Sequence, residues 1–195
     1  TRTIRFLLSA LIAGGGTFGV VNNTWAGQGE TRKTTVNVGY FTRQAEEAEK
    51  NLKATREKNR ETKKEILVQA YSFSDASIAK ALVLARARGV DVRIILDKSQ
   101  LKARYGLIPY FISNNINPII DNEVAIAHNK IIILDRHTVI TGSYNYTGAA
   151  KNKNAENVVI IDDLKVAEKY VKYWYARQNR SKEIYNLKIK ELKTK

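Results

Sequence analysis

The chain has 195 residues, 44% of them hydrophobic and 27% charged, with a formal charge of +14. This composition excludes a disordered chain, and the length suits one domain built on one core. The absence of cysteine excludes a disulfide framework, a thiolate metal site and a cysteine nucleophile. The surplus of positive charge points to a polyanionic partner, nucleic acid first and an anionic membrane second.

The elements follow in chain order. Arg2 and Arg5 precede an apolar run at 6–13 (FLLSALIA), and Thr24-Trp25-Ala26 ends in a small residue. Residues 1–26 are therefore expected to be a secretory signal peptide, which predicts a periplasmic or secreted protein. The apolar run is shorter than the roughly 20 residues of a spanning helix. Without residues 1–26 the chain still carries 31 basic against 19 acidic residues. Residues 27–35 are expected to be a flexible lead-in, and 36–195 a single domain.

A short strand is predicted at 36–41, then a largely exposed charged helix at 43–65. Residues 66–73 (ILVQAYSF) read as a strand. Ser74 or Asp75 caps a helix with Ile78, Ala81, Leu82 and Ala85 on its apolar face, and Gly89 stops it. Residues 90–96 (VDVRIIL) are the next strand. A strand, a helix and a strand in so short a span make a βαβ unit, so part of the sheet is parallel. A short helix is expected within 99–115, and strands at 116–121, 127–134, 138–142 and 157–161. Asp162 or Asp163 caps a last helix bearing Leu164, Ala167, Val171 and Trp174 on one side, and a lysine-rich tail follows from Asn179. The expected fold class is α/β: a three-layer α/β/α sandwich around a mixed, partly parallel sheet.

The stretch 127–157 carries the chemistry. His128 and Lys130 are two apart on a strand and share a face; Ser143 and Asn145 do the same. A two-residue turn at Arg136-His137 would pair Asp135 with Thr138, Lys130 with Ser143 and His128 with Asn145. Ile131, Ile133 and Val139 would then face the other way. A patch of His, Lys, Asn and Ser suits a phosphate group: lysine and the amide donate to anionic oxygens, and histidine attacks or transfers protons. Alternation alone would also give a polar solvent-facing surface here.

At these residues the chain resembles the phospholipase D superfamily. His128-x-Lys130-x4-Asp135 matches its HxKxxxxD motif, and Gly142-Ser143-Tyr144-Asn145 matches its GSxN motif at the expected short distance. The resemblance runs from about residue 36 to 178. It is closest to small bacterial single-motif secreted endonucleases, through VQAYSFSD, ARGVDVRIILD and NAENVVII as well; the charged helix at 43–65 looks longer than in those proteins. The resemblance implies that His128 attacks phosphorus to give a phosphohistidine. It implies that Lys130 and Asn145 bind the non-bridging oxygens with Ser143 beside them, and that Glu156 orients the imidazole of His128. Asp135, seven residues after His128, faces away on a regular strand and is read as structural, paired with a basic group.

A phosphodiester needs a general acid as well as a nucleophile. The other histidine, His137, sits at the far hairpin turn, roughly 20 Å or more away at about 3.3 Å per residue. The acid is then supplied by His128 of a second copy, which predicts a two-fold homodimer with a composite site. The expected activity is a metal-independent endonuclease acting on DNA or RNA. A phospholipase D acting on anionic membrane lipid, or a non-catalytic DNA-binding module, are the alternatives. No cofactor is expected, and Asp121 with Glu123 makes only a weak metal-ligand set.

Overall fold

In the computed structural model, residues 20–27, 30–41 and 63–183 are described. The charged helix expected at 43–65 lies outside the described residues except for its last three, as do residues 1–19 of the expected leader. The described strands are β1 (Val20–Gly27), β2 (Glu30–Phe41), β3 (Glu65–Ala70), β4 (Asp91–Asp97), β5 (Ile119–Asp121), β6 (Lys130–Leu134), β7 (Thr138–Gly142), β8 (Glu156–Asp162) and β9 (Lys182–Glu183). They form one sheet in the order β1-β2-β8-β7-β6-β3-β4-β5-β9. Pairs β3·β4 and β4·β5 are parallel and the others antiparallel, so the sheet is mixed as expected.

The helices are α1 (Ala76–Ala87), α2 (Ile108–Ser113), α3 (Gly148–Asn152) and α4 (Leu164–Gln178), with a 3-10 turn at Lys98–Lys102. Alternation along the central strands divides the core. Ile66, Val68, Ala70, Ile132, Leu134 and Ile140 pack with Ile78 and Leu82 of α1, Phe111 of α2 and Ala150 of α3. Leu67, Ile95, Ile131, Ile133 and Val139 pack with Ala167, Val171 and Trp174 of α4. This is the three-layer α/β/α arrangement. Burying each such aliphatic side chain contributes about 1.5–3 kcal/mol, which makes β3, buried at every position, the middle of the fold.

Several local expectations shift. Strand β2 begins at Glu30, so residues 30–35, expected as lead-in, are paired with β1, and Thr35 with β8 as well. The β-branched Thr31, Thr34 and Thr35 among them suit a strand. Strand β1 overlaps the end of the expected leader. The helix expected within 99–115 is broken into the 3-10 turn and α2, with Pro109 in the first turn of α2. Strand β5 is only three residues long, and Asn115 takes a left-handed conformation (φ 58°) after α2.

The hairpin between β6 and β7 corrects the predicted register by one residue. Leu134 pairs with Thr138 and Ile131 with Thr141, leaving a three-residue loop of Asp135, Arg136 and His137. Asp135 (φ 50°) and Arg136 (φ 55°) are both left-handed. The Asp135 carboxylate accepts hydrogen bonds from the backbone N–H groups of Lys63, Lys64 and Glu65, at 3.1, 2.8 and 3.0 Å. Those bonds hold the extra residue in the loop. Asp135 is thus held by backbone amides instead of the basic side chain expected for it. Ile131, Ile133 and Val139 do share the face opposite Ile132 and Leu134.

Candidate active site

The candidate site lies at one end of the sheet. It combines the exit of β3, the residues entering β6, the exit of β7 and the start of β8. Antiparallel pairing of β6 with β3 brings Lys130 opposite Ala70, and the next rung continues past the strand, with Tyr71 N–H donating to the Asn129 carbonyl at 2.9 Å. On the other side of His128, the buried Asp97 carboxylate at the end of β4 accepts the Ala127 N–H at 2.7 Å. The backbone around His128 is therefore tied to two neighbouring strands.

His128 is exposed and Lys130 is buried. The Lys130 ammonium lies 3.1 Å from Nδ1 of His128 and donates to the His128 carbonyl at 2.9 Å. Burial pushes its pKa below the ordinary lysine range, while the negative charge of Glu156 acts in the opposite direction. The expected pairing of His128 and Lys130 on one face is present.

The second motif works through packing. Tyr144 and Tyr146 are buried in the core, and the alternate residues Ser143 and Asn145 are exposed and half-buried. Gly142 has φ 148°, and a Cβ there would stand 2.2 Å from the Asn157 carbonyl oxygen, so no larger residue fits this rung. Ser143 and Asn157 are bound both ways: Ser143 N–H donates to the Asn157 side-chain oxygen at 3.2 Å, and Asn157 N–H to the Ser143 hydroxyl oxygen at 3.0 Å.

Glu156 departs from its expected contact. Its carboxylate accepts hydrogen bonds from the Ser143 hydroxyl and, at 2.8 Å, from the Asn154 amide, and not from His128. Asn145 is half-buried; its side-chain oxygen is buried with no hydrogen-bond partner among the described residues. His128 with Lys130 and Ser143 with Glu156 are thus direct pairs, joined electrostatically through Lys130 and Glu156. His137 lies in the loop at the opposite end of β6.

Asp121 is not available as a metal ligand. It is fully buried in an ion pair with Arg177 of α4, whose Nε donates at 2.8 Å. Glu123 is on the surface. The site residue missed by sequence reasoning is Tyr71. Its ring centroid is 4.7 Å from that of His128, and Lys130 Nζ lies 5.5 Å from it.

An imidazole beside a buried ammonium, with a hydroxyl and a carboxylate next to them, defines a site for an anionic, phosphate-like group. Comparison with known proteins agrees with this class. A family profile described as cardiolipin synthase, PLD-like domain, matches residues 56–176. The chain belongs to this PLD-like family within the phospholipase D superfamily.

A phospholipase D from Rickettsia conorii is 50% identical over 113 residues, 58% of this chain and 56% of the relative. A mitochondrial cardiolipin hydrolase from Xenopus tropicalis is 34% identical over 100 residues, 51% of this chain and 48% of the relative. The chain thus spans about half the length of these curated relatives. Among solved structures it is similar to Nuc from Salmonella typhimurium, a phospholipase D family member. The TM-score is 0.70 at 36% identity, over 77% of this chain and 97% of Nuc.

Proposed function

We propose that the chain is a hydrolase of phosphodiesters, acting on nucleic acid as an endonuclease with little sequence preference. The observation that carries this reading is the buried Lys130 ammonium set against the exposed His128 imidazole. A free imidazole nitrogen attacks phosphorus, forming an N–P bond while the P–O bond to the leaving alkoxide breaks. A second, protonated imidazole gives its proton to that alkoxide. Water then attacks the phosphohistidine, losing a proton to the second imidazole, and the N–P bond breaks to restore His128. Lys130 and Asn145 hold the non-bridging oxygens as charge builds on them. Ser143 lies beside them, and Glu156 supports the charge of Lys130.

His137 is at the wrong end of β6, so the second imidazole is His128 of another copy, in a two-fold homodimer with a composite site. Nucleic acid is favoured by the charge without residues 1–26, 31 basic against 19 acidic residues or +12. A second reading, a phospholipid substrate, is favoured by the exposed side chains of Val124 and Ile126 just before His128. Export to the periplasm or beyond is the reading supported by Arg2, Arg5 and the apolar run at 6–13.

The test is incubation of the purified protein with plasmid DNA, RNA and phosphatidylcholine vesicles, each with and without EDTA. The expected result is cleavage of nucleic acid that survives EDTA, with a Michaelis constant that rises steeply between about 50 and 200 mM salt. Faster cleavage of vesicles would transfer the assignment to phospholipid. Activity lost to chelator and restored by a divalent ion would overturn the metal-independent mechanism.

A further inference from the structure

We propose that Tyr71 is a positioning residue for the site, holding the His128 imidazole and the Lys130 ammonium in their working relation. This rests on the reading of His128 and Lys130 as the reacting pair. Tyr71 is the first residue beyond β3, and three separate contacts converge on it. Its backbone N–H extends the β3·β6 ladder by one rung to the Asn129 carbonyl, 2.9 Å away. Its ring packs against His128, with centroids 4.7 Å apart and planes inclined at 57°. The same ring lies under the ammonium of Lys130, 5.5 Å from the centroid.

Each contact removes a different freedom. The backbone bond fixes the height of the ring relative to residues 128–130. The tilted ring–ring contact limits rotation of the imidazole, since aromatic pairs favour offset and edge-to-face arrangements over free spinning. The negative face of the phenol ring attracts the ammonium, which has left water and has no ion pair among the described residues. Lys130 is thereby held on the side from which it reaches both His128 Nδ1 and, by this reading, a substrate oxygen. The hydroxyl of Tyr71 has no protein partner among the described residues, so the ring, not the oxygen, does the positioning.

That last point sets the experiment. Tyr71→Phe keeps the ring and is expected to retain kcat within about 3-fold. Tyr71→Leu keeps apolar bulk but loses the aromatic face. It should lower kcat by about 10- to 100-fold, the usual cost of misplacing a reacting group, with KM changed by less than about 3-fold. A second readout does not depend on turnover. In a His137→Asn background His128 is the one histidine left in the chain, so its imidazole proton signals are unambiguous. The ring current of residue 71 should give the same displaced signals with Tyr and Phe and signals near those of an exposed histidine with Leu.

Tyr71→Leu with wild-type kcat would overturn the proposal, as would imidazole signals unmoved by that change. A kcat loss equal in Tyr71→Phe and Tyr71→Leu would also overturn it, by placing the role in the hydroxyl. If the wild-type protein cleaves neither nucleic acid nor phospholipid, the functional reading fails. The imidazole spectra still decide whether Tyr71 sets the ring.

Discussion

The ammonium of Lys130 faces Nδ1 of His128 at 3.1 Å. An ammonium has donors and no acceptor, so the ring nitrogen turned toward it must accept. The proton of the neutral imidazole then resides on Nε2. This neutral form cannot act as the acid, which needs both ring nitrogens protonated, and a nucleophilic Nε2 needs the other tautomer. A substrate oxygen that draws the ammonium away would free Nδ1 to carry the proton. The expectation is that nitrogen-15 spectra of the free protein show His128 as the Nε2–H tautomer, and that Lys130→Met removes this bias. A free protein with His128 mainly in the Nδ1–H form would contradict the assignment.

The burial of Lys130 makes a prediction about the alkaline limb of the rate profile. Desolvation holds its pKa below the ordinary 10.5, and the charge of Glu156 partly opposes that shift. Activity requires the charged form, so it should fall as pH rises through this lowered value, earlier than an exposed lysine would allow. Glu156→Gln removes the opposing charge and should move the limb to still lower pH, because the carboxylate is bound to Ser143 and not to His128. Stability should follow the opposite course. The cost of burying the ammonium is fully present below the folded pKa and is relieved as pH rises toward the unfolded value. An alkaline limb in Glu156→Gln coincident with the wild type would remove Glu156 from the environment of Lys130.

Asp135 should matter to stability and not to turnover. Burial pushes its carboxyl up, but the three N–H groups of residues 63–65 outweigh this and hold its pKa below the ordinary value. Its contribution is therefore present above the unfolded pKa of about 3.8 and is lost as pH falls through the folded value. Asn tolerates the left-handed backbone at this position, so Asp135→Asn removes the charge and one of the two accepting oxygens without altering loop shape. Unfolding should become easier by about 1–3 kcal/mol, with kcat unchanged. A variant with wild-type stability and no activity would place Asp135 in the chemistry.

The parts of this picture legible in the sequence are those set by short-range periodicity. Two-residue spacing placed His128 and Lys130 together, and apolar alternation gave the βαβ unit and the two layers of core. What was hidden depends on partners far along the chain. The hairpin register hinges on Asp135 capturing amides some seventy residues earlier, and nothing in the spacing of 127–145 shows that. The same distance hid Tyr71, whose place follows from the pairing of Ala70 with Lys130. Glu156 stands at the start of β8 beside Ser143, and its partner depends on the clamp between Ser143 and Asn157, which the spacing does not show. Gly142 matched a motif in the sequence; its reason, the close approach of the Asn157 carbonyl, is visible only in three dimensions.

The last prediction concerns the second copy. One chain offers one imidazole at the site, because His137 lies in the loop at the other end of β6. Cleavage requires one imidazole that attacks and one that is protonated. If both are His128, from two copies related by a two-fold axis, turnover needs one ring neutral and its mate protonated. The rate profile should then be bell-shaped, with greatest activity when one proton is shared between them. His128→Ala should abolish turnover. A heterodimer of wild-type and His128→Ala chains should also be inactive, since one of the two roles is always empty. With free exchange of subunits, activity should fall as the square of the wild-type fraction, measured by mixing the two proteins at constant total concentration. A linear fall, or full activity in a demonstrated monomer, would show that each chain works alone and that the proton comes from a group within the same chain.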